Sequence, residues 1–376
     1  MSKTHCVHLL SSAARRQYAE DIIRVLALPR GARLQFRYHH DLTTDSIRNA
    51  MQAGTLVGSD CLVSFLHSSD KGVSPELIPC RSGKIIRAGS FGPFIVIVFA
   101  VEDFVFSEDW ENFTSKLRAT QPDIVPSWVS QSGKLELHGK FIFVAPVIKK
   151  TISQGYDLGV FAKTVAVLSN HYPFNEEKGA HLNPFFHVSI FNQRSRISER
   201  DFSEAALHDS IRLKDGRLLF QSKGSYLIRI HHYYPRSGRY HEKYAKKLVL
   251  DFDGLAPQHD DSIEFRITSE YDVNEILFAT IASPFRQFRN IAMSLENVTS
   301  GATDEGPYAD IQLPVTTKPA IAIGLLHSTF LGIGVAAPAL IGASFRSEFD
   351  IGIAAAIFAG GLVAGLAAVF GFKRGI

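Results

Sequence analysis

The chain has 376 residues, of which 45 % are hydrophobic and 20 % are charged, and its formal net charge at pH 7 is +3. This composition is typical of a folded protein rather than a disordered one, and the length is sufficient for two domains of ordinary size. The net charge is too small for a general attraction to nucleic acid, so only a local basic patch could bind it.

The three cysteines, Cys6, Cys61 and Cys80, are odd in number and widely spaced. Neither a disulfide framework nor a zinc-binding pair follows from this spacing, and reduced thiols in the cytoplasm fit it best. The N-terminal residues lack the apolar core and the cleavage pattern of a secretory signal. We therefore expect the globular part of the chain to be cytoplasmic.

Residues 1–150 are predicted to form a β-rich domain with peripheral helices. A strand and then a helix are expected between Cys6 and Leu28, and residues 45–52 predict a second helix. Alternation of apolar and charged residues predicts a half-buried strand at 33–38. Further strands are predicted at 61–67, 84–87, 94–101, 134–137 and 140–144, with a helix at 108–118. So many strands favour a small barrel or a strongly curved sheet.

Residues 151–296 are predicted to form a second, β-sandwich-like domain. It opens with a helical pattern at 157–169, after which short apolar runs alternate with turn residues. Strands are predicted at 185–191, 217–220, 225–234, 246–253, 263–269 and 275–282. Regular short strands of this kind are typical of a sandwich. Residues 297–319, rich in Thr, Gly, Pro and Asp, are predicted to be a linker.

Two groups of basic residues are candidates for binding an anion. Arg33 and Arg37 lie on the same side of the first clear strand, so their guanidinium groups could clamp one anion, although solubility alone also requires such residues. The second group interleaves cations with aromatic rings, which suits phosphates and stacked bases. Its candidate ligand-binding residues are Arg229, His231, Arg236, Arg239, Tyr240 and Lys243. A solvated hairpin tip or a contact with anionic lipid are the alternatives.

A third group consists of Asp251, Asp253, His259 and Asp261. Carboxylates with a histidine could bind Mg²⁺ or another divalent cation. The alternative is a strand end that enters a turn, where Asp and Gly are locally preferred. No other cofactor is predicted.

The C-terminal residues 320–372 contain two apolar runs, each about long enough to cross a bilayer, with a short polar bridge between them. They predict a two-helix transmembrane hairpin, and the flanking basic residues predict an inner-membrane protein with both termini in the cytoplasm. Small residues recur every fourth position and predict close helix packing, within one hairpin or between the copies of a homo-oligomer. They are Gly324, Ser328, Gly332, Ala336, Gly352, Ala356, Gly360 and Ala364. His327 is an intramembrane polar residue with either a structural or a functional role.

The common catalytic motifs GxxxxGK[ST], HExxH, GxSxG and GxGxxG after a strand are all missing from the sequence, which favours a protein that is not an enzyme. In layout alone, cytoplasmic β-rich domains followed by a linker and a two-helix membrane element, the chain resembles the membrane effectors of bacterial immune systems.

The leading hypothesis is a membrane-tethered sensor and effector that binds an anionic ligand or a partner protein. It would signal to a multimerising hairpin that perturbs or perforates the membrane. One alternative is a membrane-anchored, metal-dependent enzyme that acts on a nucleotide or nucleic acid. The other is a scaffold subunit that docks a partner protein at the membrane.

Overall fold

The structure is a computed structural model, and it describes 5–12, 16–40, 43–67, 76–109, 112–116, 140–146, 153–155, 158–171, 185–193, 207–210, 213–233, 246–259, 262–267, 271–281, 287–297, 309–318 and Ala359. Strands make up 62 % of this part of the chain, which contains four helices. The strands form three sheets with seven, six and four strands.

The seven-stranded sheet is built from the N-terminal part of the chain. Its strands are β1 (His5–Ser12), β2 (Arg33–His39), β3 (Asp60–His67), β4 (Glu76–Phe91), β5 (Phe94–Phe106), β6 (Lys140–Pro146) and β7 (Ser153–Gly155). They lie in the order β2-β5-β4-β3-β1-β6, with β7 beside β5. Only β1 and β3 run parallel. Thr43, just after β2, forms an isolated bridge to Ile142 of β6 at the opposite edge, so the sheet is strongly curved.

Three α-helices accompany the sheet: α1 (Arg16–Ala27), α2 (Asp45–Gln52) and α3 (Leu158–His171). Helix α1 buries an apolar stripe that includes Ile22, Ile23 and Leu26, all fully inaccessible to solvent. The stripe follows the helical period, and burying it is the main stabilising contribution of such a helix. The alternate residues of β5, Ile95, Ile97 and Phe99, are buried in the same core.

The other two sheets come from the second half of the chain. The six-stranded sheet contains β10 (Leu213–Lys214), β11 (Arg217–Gln221), β13 (Lys246–Asp251), β14 (Ile263–Ile267), β16 (Gln287–Asn297) and β17 (Ala309–Lys318). The four-stranded sheet contains β8 (Phe185–Gln193), β9 (Leu207–Ser210), β12 (Ser225–Tyr233) and β15 (Tyr271–Ala279). Phe220 of one sheet packs on Tyr226 and Phe278 of the other, with ring centroids 4.3 and 5.6 Å away. A 3-10 turn, Pro257–His259, lies beside β15.

Helix α1 contacts all three sheets. It packs on β1 and β4 of the seven-stranded sheet and on β8 and β17 of the other two sheets. Arg24 Nε donates to the Asp310 carbonyl oxygen at 3.0 Å, and His187 Nδ1 of β8 lies 3.0 Å from the Leu26 carbonyl oxygen. The division into domains at 1–150 and 151–296 therefore stays a prediction, with one hydrophobic cluster running across it.

Most of the predicted elements that lie in the described part are confirmed. Helix α2 has the predicted bounds, and β2, β8 and β12 differ from the prediction by two residues or fewer. Strands β4 and β5 extend well beyond the predicted runs. The prediction of a linker was wrong at its C-terminal end, where β17 pairs with both β11 and β16. The predicted strand at 134–137 lies outside the described residues.

The predicted fold class needs correction at the C-terminus. No helix in the described part of the chain has both the length and the apolarity needed to cross a membrane. Residues 320–372, with His327 and the small residues of the predicted packing stripes, lie outside the described residues, apart from Ala359. The structure supports a mainly β protein, and the prediction of a transmembrane hairpin, a pore and an inner-membrane location is corrected accordingly.

Candidate anion-binding face

Strands β2, β5 and β4 lie side by side, and their residues that point away from the main core form cross-strand rows. The first row is His39, Phe94 and Phe91; the second is Arg37, Val96 and Gly89; the third is Gln35, Val98 and Arg87. We call these three rows the outer face. Successive rows lie about 7 Å apart, since each step spans two residues of an extended strand.

The centre of the outer face is apolar and carries only short side chains. Val96 and Val98 are half-buried, and a Cβ added to Gly89 would meet no atom within 4 Å. Arg37 and Arg87 flank this centre on the two neighbouring strands, and both are exposed. Their Cα atoms are two strand spacings and one row apart, roughly 12 Å. Two long cationic side chains therefore border one shallow apolar floor.

Neither Arg37 nor Arg87 forms an ion pair or a hydrogen bond with any other described residue. The three rows also contain no carboxylate. Within the described part of the chain, no carboxylate compensates the charge of these two arginines, so an anionic ligand can supply the missing negative charge.

The next row, Arg33, Ala100 and Lys84, differs because acidic residues accompany its cations. Arg33 Nη2 lies 3.7 Å from Asp215 Oδ1, in the turn between β10 and β11. Lys84 is directly opposite Asp60 in the register of β4 and β3. Arg33 and Arg37 do share one side of β2, as predicted, but Arg33 is paired with Asp215. Among the described residues of these rows, Arg87 is the other arginine without an acidic partner.

The β4–β5 hairpin ends in the sequence Phe-Gly-Pro-Phe. Gly92 has φ +56°, a backbone conformation that side chains with a Cβ rarely adopt, so glycine suits this turn. The turn leaves Phe91 79 % exposed and Phe94 37 % exposed. The His39 ring packs against Phe94 at a right angle, with the centroids 5.7 Å apart. The hairpin thus presents aromatic rings at the end of the cationic face.

The second predicted group is only partly described. Arg229 Nε donates to Glu275 Oε1 at 2.6 Å, and the guanidinium lies over the Phe191 ring. His231 Nδ1 lies 3.1 Å from the Tyr271 hydroxyl oxygen, and burial, followed by the nearby Arg229 charge, lowers the His231 pKa to about 4. Arg229 is thus paired and His231 is neutral at pH 7. Arg236, Arg239, Tyr240 and Lys243 lie outside the described residues.

The acidic group forms a turn. Asp251 Oδ1 accepts a hydrogen bond from the Asp253 backbone nitrogen at 2.8 Å, and Asp253 Oδ2 accepts one from the Asn290 backbone nitrogen at 3.3 Å. His259 Nε2 lies 3.0 Å from the Leu277 carbonyl oxygen. Asp261 lies outside the described residues, and the described part holds no group of three or more potential metal ligands. These contacts belong to a turn, and the metal site stays a prediction.

Cys6 and His8 lie next to each other on β1, with 3.2 Å between Cys6 Sγ and His8 Nε2. Burial raises the pKa of the Cys6 thiol to about 12 and lowers the pKa of His8 to about 3. Both side chains are therefore neutral at pH 7, and the thiol is not activated for attack, because the thiolate is the reactive form. This pair belongs to the apolar cluster on the second side of the sheet.

Sequence reasoning missed Arg87, Phe91 and Phe94. The turn residues Gly92 and Pro93 between two strand-like runs were the signal that could have found the hairpin. Alternation along each run would then have placed these three side chains on one face. No protein-family model matches the chain, and no curated protein sequence is significantly similar to it.

Proposed function

We propose that this chain is a binding protein that recognises a phosphate-bearing ligand on its outer face. The observation that supports this proposal most is the pair Arg37 and Arg87, two exposed guanidinium groups that flank an apolar floor and have no ion-pair partner among the described residues. A guanidinium presents several donors in one plane and can make two parallel hydrogen bonds to a phosphate.

The geometry favours a ligand that carries both charge and an apolar body. The cations stand on two strands that are fixed to the same central strand by backbone hydrogen bonds, so the spacing of their Cα atoms is set before a ligand arrives. A preorganised site loses less conformational entropy on binding than a flexible one. The floor of Val96 and Val98 accommodates the apolar part of the ligand.

Binding rather than catalysis suits the residues of this face. Acid–base catalysis requires a positioned proton donor or acceptor, and the rows offer arginines, Gln35, apolar residues and a single histidine. From the hypothesis of a sensor and effector, the proposal keeps the recognition of an anionic ligand.

The proposal predicts a charge-dependent affinity for polyphosphates. Binding of inorganic tripolyphosphate and of ATP is measured by calorimetry at about 50 mM and about 200 mM salt, because screening weakens exposed charge interactions. We expect binding that weakens with salt and that falls tenfold or more in the double variant Arg37→Glu, Arg87→Glu.

The matched control is Arg266→Glu, which reverses an exposed arginine of β14 far along the chain from this face. It should bind like the unchanged protein. Equal affinity in the double variant and the control would overturn the proposal, as would a failure of the unchanged protein to bind any polyphosphate, nucleotide or oligonucleotide.

A further inference from the structure

The row of Phe91, Phe94 and His39 adds an aromatic surface to the cationic face. Phe91, at 79 %, is the most exposed large hydrophobic side chain in the described part of the chain, and Phe94 is directly opposite it. Leaving such rings in water costs free energy that a stacked ligand ring recovers. Both rings lie on the same side of the sheet as Arg37 and Arg87.

The spacing along the strands separates the rings from the charges. The Arg37 row is about 7 Å from the aromatic row, and the Arg87 row is about 14 Å from it. A base stacked on the aromatic row places its own phosphate near Arg37. A second phosphate, one nucleotide farther along an extended strand, comes within reach of Arg87.

We infer that the ligand of the outer face is a single-stranded nucleic acid, with bases stacked on Phe91 and Phe94 and phosphates bound by Arg37 and Arg87. The inference rests on the proposed function and gives the class of its ligand. Stacking on aromatic side chains beside a cationic groove is a general mode of single-strand binding that tolerates many sequences, because every base has a π-face.

An anionic lipid surface fits the arrangement less well. A membrane that touches the hairpin tip would meet the two phenylalanines but leave Arg87 about 14 Å behind the tip row. Arg37 and Arg87 lie along the face of the sheet and do not surround the tip of the hairpin. A ligand that lies along the strands contacts all of these side chains at once.

Fluorescence anisotropy with a labelled mononucleotide, dinucleotide and tetranucleotide tests the inference. We expect the affinity to rise with length until both arginine rows are occupied. The double variant Phe91→Leu, Phe94→Leu should bind the tetranucleotide about tenfold more weakly, since it loses the stacking surface, while its affinity for tripolyphosphate stays the same. Phe288→Leu is the matched control, because Phe288 is also exposed, at 63 %, but lies on β16.

The outcomes separate this inference from the proposed function. If tripolyphosphate binds as tightly as the tetranucleotide, or if an abasic tetranucleotide binds as tightly as the normal one, the inference is overturned while the proposed function stands. Binding to phosphatidylserine vesicles that survives the leucine substitutions, without oligonucleotide binding, would also overturn it, since leucine keeps the apolar contact and removes the ring. If the unchanged protein binds none of tripolyphosphate, the tetranucleotide and the phosphatidylserine vesicles, both the inference and the proposed function are overturned.

Discussion

Arg81 of β4 is fully buried, and its guanidinium lies at the C-terminal end of helix α1. Nη1 donates to the carbonyl oxygens of Val25 at 2.8 Å, Leu26 at 3.2 Å and Leu28 at 2.6 Å, and Nε donates to that of Glu102 at 3.1 Å. The last carbonyl groups of a helix have no partner within it and carry partial negative charge. Arg81 thus joins α1 to the sheet by donating hydrogen bonds to carbonyl groups at the C-terminal end of the helix.

We predict that Arg81→Met destabilises the protein by about 3 kcal/mol or more, because buried carbonyl groups lose a charged donor. The free energy of unfolding is measured by urea titration. Arg266→Met, at an exposed position, is the control and should change it by less than about 0.5 kcal/mol. Similar losses in the two variants would show that the helix end does not depend on Arg81.

Strand pairing between β4 and β5 requires a glycine at position 83. A Cβ there would lie 2.6 Å from the Ala100 carbonyl oxygen and 3.1 Å from Cys61 Sγ. Since the first of these atoms is backbone, the strands themselves would have to move apart. This close contact lies within the hairpin that carries Arg87 and both exposed phenylalanines.

Gly83→Ala should therefore lower the free energy of unfolding by about 2 kcal/mol, the usual cost of an overpacked core position. Gly89→Ala lies on the same strand, and its added Cβ meets nothing within 4 Å, so it should leave the stability nearly unchanged. Thermal unfolding followed by circular dichroism compares the two. A Gly83→Ala protein as stable as Gly89→Ala would show that the strands relax freely.

The local sequence pattern predicted individual helices and strands well, but it did not predict which strands pair with one another. The alternation in β2 was readable because one face of that strand is buried and the other is exposed. The same alternation exists in β17, where Ala309, Ile311, Leu313 and Val315 are buried, but the neighbouring Thr, Gly and Pro residues hid it and suggested a linker. The pairing of β2 with β5 depends on contacts distant in sequence, so the sequence could not place Arg37 beside the β4–β5 hairpin.

At the scale of the whole molecule, burial of histidines makes stability depend on pH. Burial lowers the pKa of His8 to about 3 and those of His231 and His232 to about 4. In the unfolded chain a histidine takes up its proton near pH 6.5. The unfolded state therefore binds more protons below about pH 6.5, and the folded state loses stability as the pH falls from there towards 4.

We predict that His8→Gln reduces this loss by about 1.4 kcal/mol per pH unit between pH 6 and pH 5, the contribution of one proton. Urea titrations at several pH values give the slope. Phe143→Leu is the control, since it removes the ring stacked on His8, 4.7 Å away, and keeps the titrating group. It should lower stability at every pH with an unchanged slope, and equal slopes in all three proteins would rule out the contribution of His8.

The position of α1 has a consequence for synthesis on the ribosome. This helix is made among the first residues of the chain, yet part of its surface is covered by β8 and β17, and its bond from Arg24 to Asp310 spans 286 residues. The N-terminal sheet can form as soon as its strands emerge, but that side of the helix stays bare until translation has passed β17. A nascent chain thus exposes this part of the helix for most of its elongation, and transiently exposed surface of incompletely folded chains is what chaperones protect.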